Sequence, residues 1–194
     1  MTLQLRPLIP SRWPDLEALF RARGCSVARG CWCLYYRCSG TQAAPPKGTS
    51  YAERNRLAMK ALVDSGTVPG LIGYRDGIPV GWISLGPREA FAKLARSPVM
   101  KPVDERPVWS IVCFVVPAQY RRQGVAQDLL HGAIRYAAKR GVNLLEAYPV
   151  DRSHPSNPDS MWFGTKSMFD AAGFTEVARR KPARPVMRIV PVRT

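Results

Sequence analysis

The sequence has 194 residues, of which 29 are Lys or Arg and 14 are Asp or Glu, so its formal net charge is +15. Because 46% of the residues are hydrophobic and the longest apolar run, residues 111–116, is far shorter than the ~18 residues of a membrane span, the sequence excludes wholesale disorder and a membrane-spanning helix. We expect a cytoplasmic protein with a single domain over residues 1–194, and the excess charge favours an anionic partner such as nucleic acid or a phosphorylated cofactor.

The first third of the chain predicts a strand followed by two helices. Residues 3–9 alternate in polarity as a half-buried strand does, and residues 13–23 follow as a helix whose predicted N-cap is Ser11. Ser50 and Glu53 form a capping-box pattern that begins the second helix. That helix is expected to end near residue 64, and its predicted buried face consists of Ala58, Ala61 and Leu62.

An aromatic and Cys-rich stretch, residues 30–37, and a loop, residues 39–49, precede the second helix. Four of the five cysteines fall within residues 25–38, namely Cys25, Cys31, Cys33 and Cys38. A single residue separates Cys31 from Cys33, which is closer than zinc ligands usually lie, and no His is near, so no metal site is predicted. An odd number of cysteines without an export signal also argues against a disulfide framework. The cluster is interpreted as buried apolar thiols.

The middle of the chain predicts a β-hairpin and then a strand–loop–helix–strand unit. Asp76 and Gly77 lie between two apolar runs, which is a strong hairpin signal. Residues 108–116 are apolar on both faces and predict a central strand, whereas residues 124–140 repeat apolar positions with helical period. The other predicted elements are short helices at 88–95 and 165–172 and strands at 143–150, 175–180 and 186–192. Together these elements predict a mixed α/β chain.

The junction between the central strand and the long helix has the chemistry of an anion site. Arg121 and Arg122 bring two guanidinium groups to the start of the helix, and Gly124 and Ala126 let a ligand approach the backbone. The first turn of a helix also offers unpaired N–H groups and the positive end of the helix dipole. This junction therefore favours a phosphate or pyrophosphate group, although a tight turn with two solvated arginines fits the residues equally well.

Two short motifs and the order of the elements carry a resemblance. Residues 121–126, Arg-Arg-Gln-Gly-Val-Ala, match the pattern Gln/Arg-x-x-Gly-x-Gly/Ala, and residues 115–117, Val-Val-Pro, match the Val-x-Pro that commonly precedes it. The apolar strand before the motif, the long helix after it and the closing Gly173-Phe174 agree with this pattern. Over residues 108–180 the sequence resembles the GNAT superfamily of N-acetyltransferases, which use acetyl-CoA.

This resemblance implies a fold and a cosubstrate. The implied GNAT fold is a mixed central sheet of about six to seven strands, with helices on both faces and a splayed strand pair that holds acetyl-CoA. Residues 108–180 would form the cofactor-binding core, where backbone amides bind the pyrophosphate, and the N-terminal third would form the acceptor side. The residues implied to bind the cofactor are Val115, Val116, Arg121, Arg122, Gln123, Gly124, Val125, Ala126 and Gln127.

The resemblance also implies direct transfer of the acetyl group to a primary amine, which must lose a proton before it attacks. Many family members have a Tyr as general acid where this sequence has Phe169, which cannot donate a proton. Tyr148 and Glu146 alternate on one face of the strand beside the expected splay, and they are the catalytic candidates. The alternative for both is structural, as a Tyr bonded within the core and a salt-bridged Glu. Cys113, in an apolar strand, is interpreted as an inert thiol.

The acceptor is expected to be a small-molecule amine or a peptide. The acceptor site should involve the N-terminal third, and four aromatic side chains are candidates for its lining: Trp32, Tyr35, Tyr36 and Trp82. For any single one of them, a place in the core is the favoured alternative. The sequence has few acidic residues, which argues against a polycationic acceptor. Two alternatives stay open, an acyl-CoA-binding sensor without turnover and a nucleic-acid-binding protein that uses the basic residues of 179–193. Nucleic acid is the less favoured partner, no membrane is expected, and a homodimer is compatible with the sequence.

Overall fold

A single mixed sheet of seven strands runs through the computed structural model. The structure describes residues 3–37, 48–154 and 158–192, and for residues 158–160 it describes the backbone alone. The strands are β1 (Gln4–Pro7), β2 (Gly70–Arg75), β3 (Ile78–Pro87), β4 (Trp109–Val115), β5 (Leu145–Ala147), β6 (Thr175–Lys181) and β7 (Arg184–Ile189). They neighbour one another in the order β1-β2-β3-β4-β5-β7-β6, and β4 pairs with β5 in parallel while the other described pairs are antiparallel. The predicted mixed α/β sheet of six to seven strands is confirmed.

Helices cover both faces of this sheet, as predicted. They are α1 (Trp13–Arg21), α2 (Ser26–Cys31), α3 (Tyr51–Asp64), α4 (Ala92–Ala95), α5 (Val125–Lys139) and α6 (Lys166–Ala171). On one face α5 and α6 bury Leu129 and Phe169, and on the other face α1 and α3 bury Phe20 and Met59 together with Trp82 of β3. In the part of the chain that the structure describes, no helix has the length and hydropathy needed to cross a membrane.

The two predicted helix starts in the N-terminal third have different outcomes. Ser50 caps α3 as predicted, because its Oγ accepts a hydrogen bond from the Glu53 amide at 3.2 Å. Ser11 does not cap α1, since residues Pro10–Arg12 form a 3-10 turn that leads directly into the helix. The buried face of α3 is also rotated from the prediction, because the helix is positioned by contacts with the chain before it. Its fully buried residues are Asn55, Met59 and Val63.

The hairpin between β2 and β3 forms where the sequence predicts it. Asp76 and Gly77 both have positive φ, 51° and 78°, which is the conformation that a two-residue type I′ turn requires. Asp and Gly are among the residues that tolerate this conformation, so the turn fixes the register of the two strands. The hairpin places β3 alongside the whole length of β4.

β4 is paired on both sides for only part of its length. Residues 109–111 pair with β5, and this segment is called the paired end of β4. Beyond Ile111 the described residues add no strand along this edge, and residues 112–116 are called the open end. The predicted strand 143–150 is shortened to β5 because the chain leaves β4 after Ala147, and Val150 bridges to Thr165 instead. The two strands therefore splay apart, as the resemblance implied.

Candidate active site

A cavity of about 860 Å³ lies against the open end of β4. Ala126 at the start of α5 and Arg121 in the loop before it close the cavity at one side. The opposite wall is formed by α2 and the turn before it. Tyr36 and Trp162 line the remaining side. The cavity therefore joins the loop that the sequence singled out for a cofactor to the N-terminal third that it singled out for an acceptor.

The start of α5 retains the features of an anion site. Gly124 precedes the helix with a φ of +77°, and a Cβ built on it meets no atom within 4 Å, so the space outside this turn is open. No side chain among the described residues caps the helix, and the N–H groups of its first turn have no carbonyl one turn earlier within the helix. These amides and the positive end of a 15-residue helix suit the pyrophosphate of an acyl-CoA.

The predicted cofactor-binding side chains divide into two groups. Arg121 is tied to the fold, because its guanidinium donates to the carbonyl oxygens of Val116, at 3.0 Å, and Gly24. Arg122 is exposed, and the described residues offer it no hydrogen bond or ion pair. The residues of the predicted set that line the cavity are Val115, Val116, Arg121 and Ala126. Three other members make contacts within the fold, Gln123 with Arg75, Gln127 with the Met168 carbonyl oxygen, and Val125 in the core.

Tyr148 and Glu146, the catalytic candidates of the sequence, lie in a closed network beside the paired end. Glu146 is 0% exposed, and its carboxylate accepts hydrogen bonds from Arg88 and from Arg188 Nε, the latter at 2.7 Å. Tyr148 Oη lies 2.8 Å from Glu146 Oε1 and 2.9 Å from Ser110 Oγ. Burial and the Glu146 carboxylate raise the pKa of Tyr148. Neither residue is among the described residues that line the cavity, so the geometry favours the structural alternative for both.

One hydroxyl in the cavity was not singled out by the sequence. Tyr36 lines the cavity, and burial raises the pKa of its phenol to about 12. Its hydroxyl has no hydrogen-bond partner among the described residues, so it is available to a ligand as a donor. The sequence named Tyr36 only as one of several aromatic residues, and no local motif distinguishes it from its neighbour Tyr35.

The other predicted aromatic residues separate into core and cavity. Trp32 is 2% exposed and stacks on Trp13 with ring centroids 5.6 Å apart, and Trp82 is fully buried in the same cluster. Both belong to the core, so two of the four aromatic candidates do not line the cavity. Tyr35 lies at the cavity, where Lys93 Nζ is 3.8 Å from its ring centroid. Trp162, which the sequence did not indicate, also lines the cavity.

Four thiols line the same cavity, those of Cys25, Cys31, Cys33 and Cys113. The Sγ atoms of Cys33 and Cys113 lie 3.3 Å apart, and this contact together with burial raises the pKa of Cys33 well above its ordinary value. Within the described residues no group of three or more His, Cys, Asp or Glu side chains is arranged to hold a metal ion. Cys38 lies outside the described residues. The four thiols form part of the cavity wall.

The basic C-terminal stretch, which offered a phosphate-binding surface, is largely used within the fold. Arg179 pairs with Glu176 and Asp151, and Arg180 donates to the carbonyl oxygens of Val99, Lys101 and Pro102. Arg188 is 3% exposed and bonds to both Glu146 and Asp104. These guanidinium groups hold strands and loops together, so their charges do not form a continuous free surface for a nucleic-acid backbone.

Comparison with known proteins agrees with this arrangement. Residues 35–160 match the acetyltransferase (GNAT) family. No curated protein matches the sequence significantly.

Solved structures resemble the whole fold at low sequence identity. An acetyltransferase from Thermus thermophilus is 19% identical, with a TM-score of 0.51 and coverage of 98% of this chain and 97% of the other. A ribosomal-protein-alanine N-acetyltransferase from Brucella melitensis is 20% identical, with a TM-score of 0.53 and coverage of 97% and 99%. The PaiA N-acetyltransferase of Thermoplasma acidophilum in complex with coenzyme A is 16% identical, with a TM-score of 0.51 and coverage of 98% and 99%.

Proposed function

Because the chain belongs to the acetyltransferase (GNAT) family, we propose that it transfers an acetyl group from acetyl-CoA directly to the primary amine of an acceptor. The observation that carries this proposal is the continuity of one cavity, which joins the start of α5, the open end of β4 and walls built by the N-terminal third. A cosubstrate bound at the start of α5 and along the open end of β4 would meet an acceptor that enters past the walls built by the N-terminal third.

The start of α5 supports acetyl-CoA as the cosubstrate. Its first-turn amides follow Gly124, where a built Cβ meets no atom within 4 Å, and the exposed Arg122 adds a guanidinium that can pair with phosphate oxygens. Arg121 acts differently, because its bonds to Val116 and Gly24 hold the loop in position. The open end of β4 leaves one strand edge unpaired, and the amides of a pantetheine arm can add to such an edge as an extended peptide does.

The cavity also supports a route for the proton that the leaving thiolate requires. Bound acetyl-CoA supplies an activated thioester, whose sulfur leaves when the amine attacks. Tyr36 lines this cavity near Cys113, and its phenol stays protonated because its pKa is about 12. A phenol O–H in this place stabilises the developing charge on sulfur by hydrogen bonding. Tyr36 therefore replaces, from the other side of the cavity, the acid that the buried Phe169 cannot be.

The proposal is tested by measuring acetyl-CoA binding calorimetrically and release of free CoA with a panel of amines. Gly124→Asp places a carboxylate in the open space beside the first turn of α5, so we expect acetyl-CoA affinity to fall by at least about tenfold. Binding without release of CoA by any amine would identify the sensor instead of the enzyme.

Gly141 provides the matched control at the opposite end of α5. It also has a positive φ, 71°, and a Cβ built on it also meets no atom within 4 Å. Gly141→Asp therefore imposes the same backbone strain and adds the same charge far from the proposed pyrophosphate site. If the two variants weaken acetyl-CoA binding equally, the start of α5 is not the cofactor site.

A further inference from the structure

The cavity mouth is surrounded by exposed apolar side chains. Val27, Tyr35, Tyr51 and Met161 line the cavity and are 60%, 50%, 55% and 38% exposed, respectively, and they are called the apolar rim. These four come from three separate segments of the chain, so no local sequence feature gathers them. Exposed apolar side chains that cluster around a cavity mark a surface that binds an apolar ligand.

Positive charge accompanies this rim. Lys93 Nζ lies 3.8 Å from the ring centroid of Tyr35, and the Arg54 guanidinium carbon lies 5.2 Å from that of Tyr51. Each of these two rings thus already has a cation of the protein over one face. An ammonium group that approaches the mouth meets two like charges, in a chain whose net charge is +15.

The described residues that line the cavity include no carboxylate or imidazole to accept a proton from an ammonium ion. Among the described residues that line it, none is Asp, Glu or His, and Arg121 is the charged member. The stretches of the sequence that are wholly undescribed contain no Asp, Glu or His either, and Asp159 is the one acidic residue whose side chain is not described. Glu146, the acidic residue that the sequence favoured, is enclosed between Arg88 and Arg188. A buried ammonium ion would therefore lose its hydration without a carboxylate among the described lining residues to pair with it.

We propose that the acceptor is an aromatic primary amine, whose nitrogen is already neutral near pH 7 and whose ring packs against the apolar rim. This inference rests on the proposed acetyl transfer and names the substrate class of the same site. An arylamine brings a lone pair that can attack the thioester without prior deprotonation, so no base is needed before the attack. The proton that its nitrogen loses as the amide forms passes to the departing CoA thiolate, directly or through water, which gives the CoA thiol. Its ring fits a mouth of tyrosine, valine and methionine side chains, where aromatic and S–aromatic contacts are favourable.

The test compares aniline with benzylamine, which is one methylene longer and protonated at neutral pH. With acetyl-CoA saturating, kcat/KM is measured from free CoA between about pH 6 and 8. We expect kcat/KM for aniline to be independent of pH and that for benzylamine to rise about tenfold per pH unit, because only the neutral fraction reacts. A preference for benzylamine or 1,4-diaminobutane at pH 7, without this slope, would overturn the inference but leave the acetyltransferase intact. No CoA release with any amine would instead overturn the proposed function.

Two variants sharpen the result. Val27→Glu adds a carboxylate to the apolar rim, and we expect it to raise the benzylamine-to-aniline ratio of kcat/KM about tenfold. Ile78→Glu is the matched control, since Ile78 is 55% exposed and does not line the cavity, and it should leave the ratio unchanged.

Asp159, the one acidic residue whose side chain is not described, is tested by Asp159→Asn. If that variant alters the benzylamine pH profile, an acidic base serves the site and the inference is wrong.

Discussion

At the paired end of β4, Glu146 and Arg188 are almost completely buried and bond to each other, to Arg88 and to Asp104. At the open end of the same strand, a cavity of about 860 Å³ is lined by tyrosines, thiols and aliphatic side chains. The charged end is closed to ligands, and the end that can admit a ligand has no carboxylate among its described lining residues.

This contrast gives the carboxylate of Glu146 a structural explanation. A buried ion pair carries a large desolvation penalty, and it persists where several hydrogen bonds satisfy it. Glu146 meets this condition by joining β5 to β7 and to the chain around Arg88. We infer that charge holds the sheet together at one end of β4, whereas shape and apolar contact select the ligand at the other.

The largest expected effect comes from breaking the paired end. Glu146→Ala leaves the guanidinium groups of Arg88 and Arg188 without their carboxylate, so we expect the free energy of unfolding in urea to fall by about 3–5 kcal/mol. Glu89→Ala is the control, because Glu89 is exposed and adjacent to Arg88 in the chain, and it should change that free energy by less than about 0.5 kcal/mol. If Glu146→Ala instead abolishes turnover while stability is unchanged, Glu146 is the catalytic group that the sequence suggested.

The next largest effect is expected from the Tyr36 hydroxyl, in the cavity at the open end of β4. Tyr36→Phe removes the donor proposed to stabilise the leaving thiolate, so we expect kcat to fall about 10²-fold with little change in KM for the amine. Tyr35→Phe is the matched control at the neighbouring residue, which is half exposed. Because the pKa of Tyr36 is about 12, its phenol should contribute no alkaline limb to the rate profile below about pH 10. Equal losses in the two variants would show that neither hydroxyl has this role.

The sequence predicted a feature of either end of β4 where residues close together in the chain determine it. The hairpin at Asp76 and Gly77, the cap at Ser50 and the motif around Gly124 are fixed by residues a few positions apart, so pattern and chemistry located them. The cavity wall at α2 was missed because that helix has only six residues, and Gly30 and the β-branched Val27 give it little helix propensity.

The ion network and the apolar rim depend on contacts between distant parts of the chain. Arg188 reaches Asp104 across 84 positions, and Cys33 reaches Cys113 across 80. No periodicity or local spacing contains this information, because the topology of the sheet creates these contacts. The sequence therefore named residues at the cofactor side of the cavity, whereas its catalytic candidates, Tyr148 and Glu146, lie at the other end of β4, away from the described lining of the cavity.

A pH experiment tests the ion network beside the paired end through Asp104, which pairs with Arg188. Hydrogen bonds from Arg188 hold the pKa of Asp104 well below its ordinary value of 3.8. A carboxylate whose pKa is lower in the folded state stabilises the protein above the unfolded pKa, and that contribution is lost as the pH falls. We expect Asp104→Asn to flatten the fall of unfolding free energy between about pH 4 and 2, measured by urea titration. Asp76→Asn, in the exposed hairpin turn, is the matched control for the removal of one carboxylate.

The smallest effect is expected in the helix that carries part of the apolar rim. Ser50 caps α3 directly before Tyr51, so Ser50→Ala should lower the free energy of unfolding by about 1 kcal/mol. Ser50→Asp keeps an N-cap oxygen and adds a favourable charge at the helix start, so it should retain the stability of the parent protein. Neither variant should change the ratio of aniline to benzylamine turnover. A loss from Ser50→Ala as large as that from Glu146→Ala would show that local helix capping, and not the buried ion network, limits the stability of this fold.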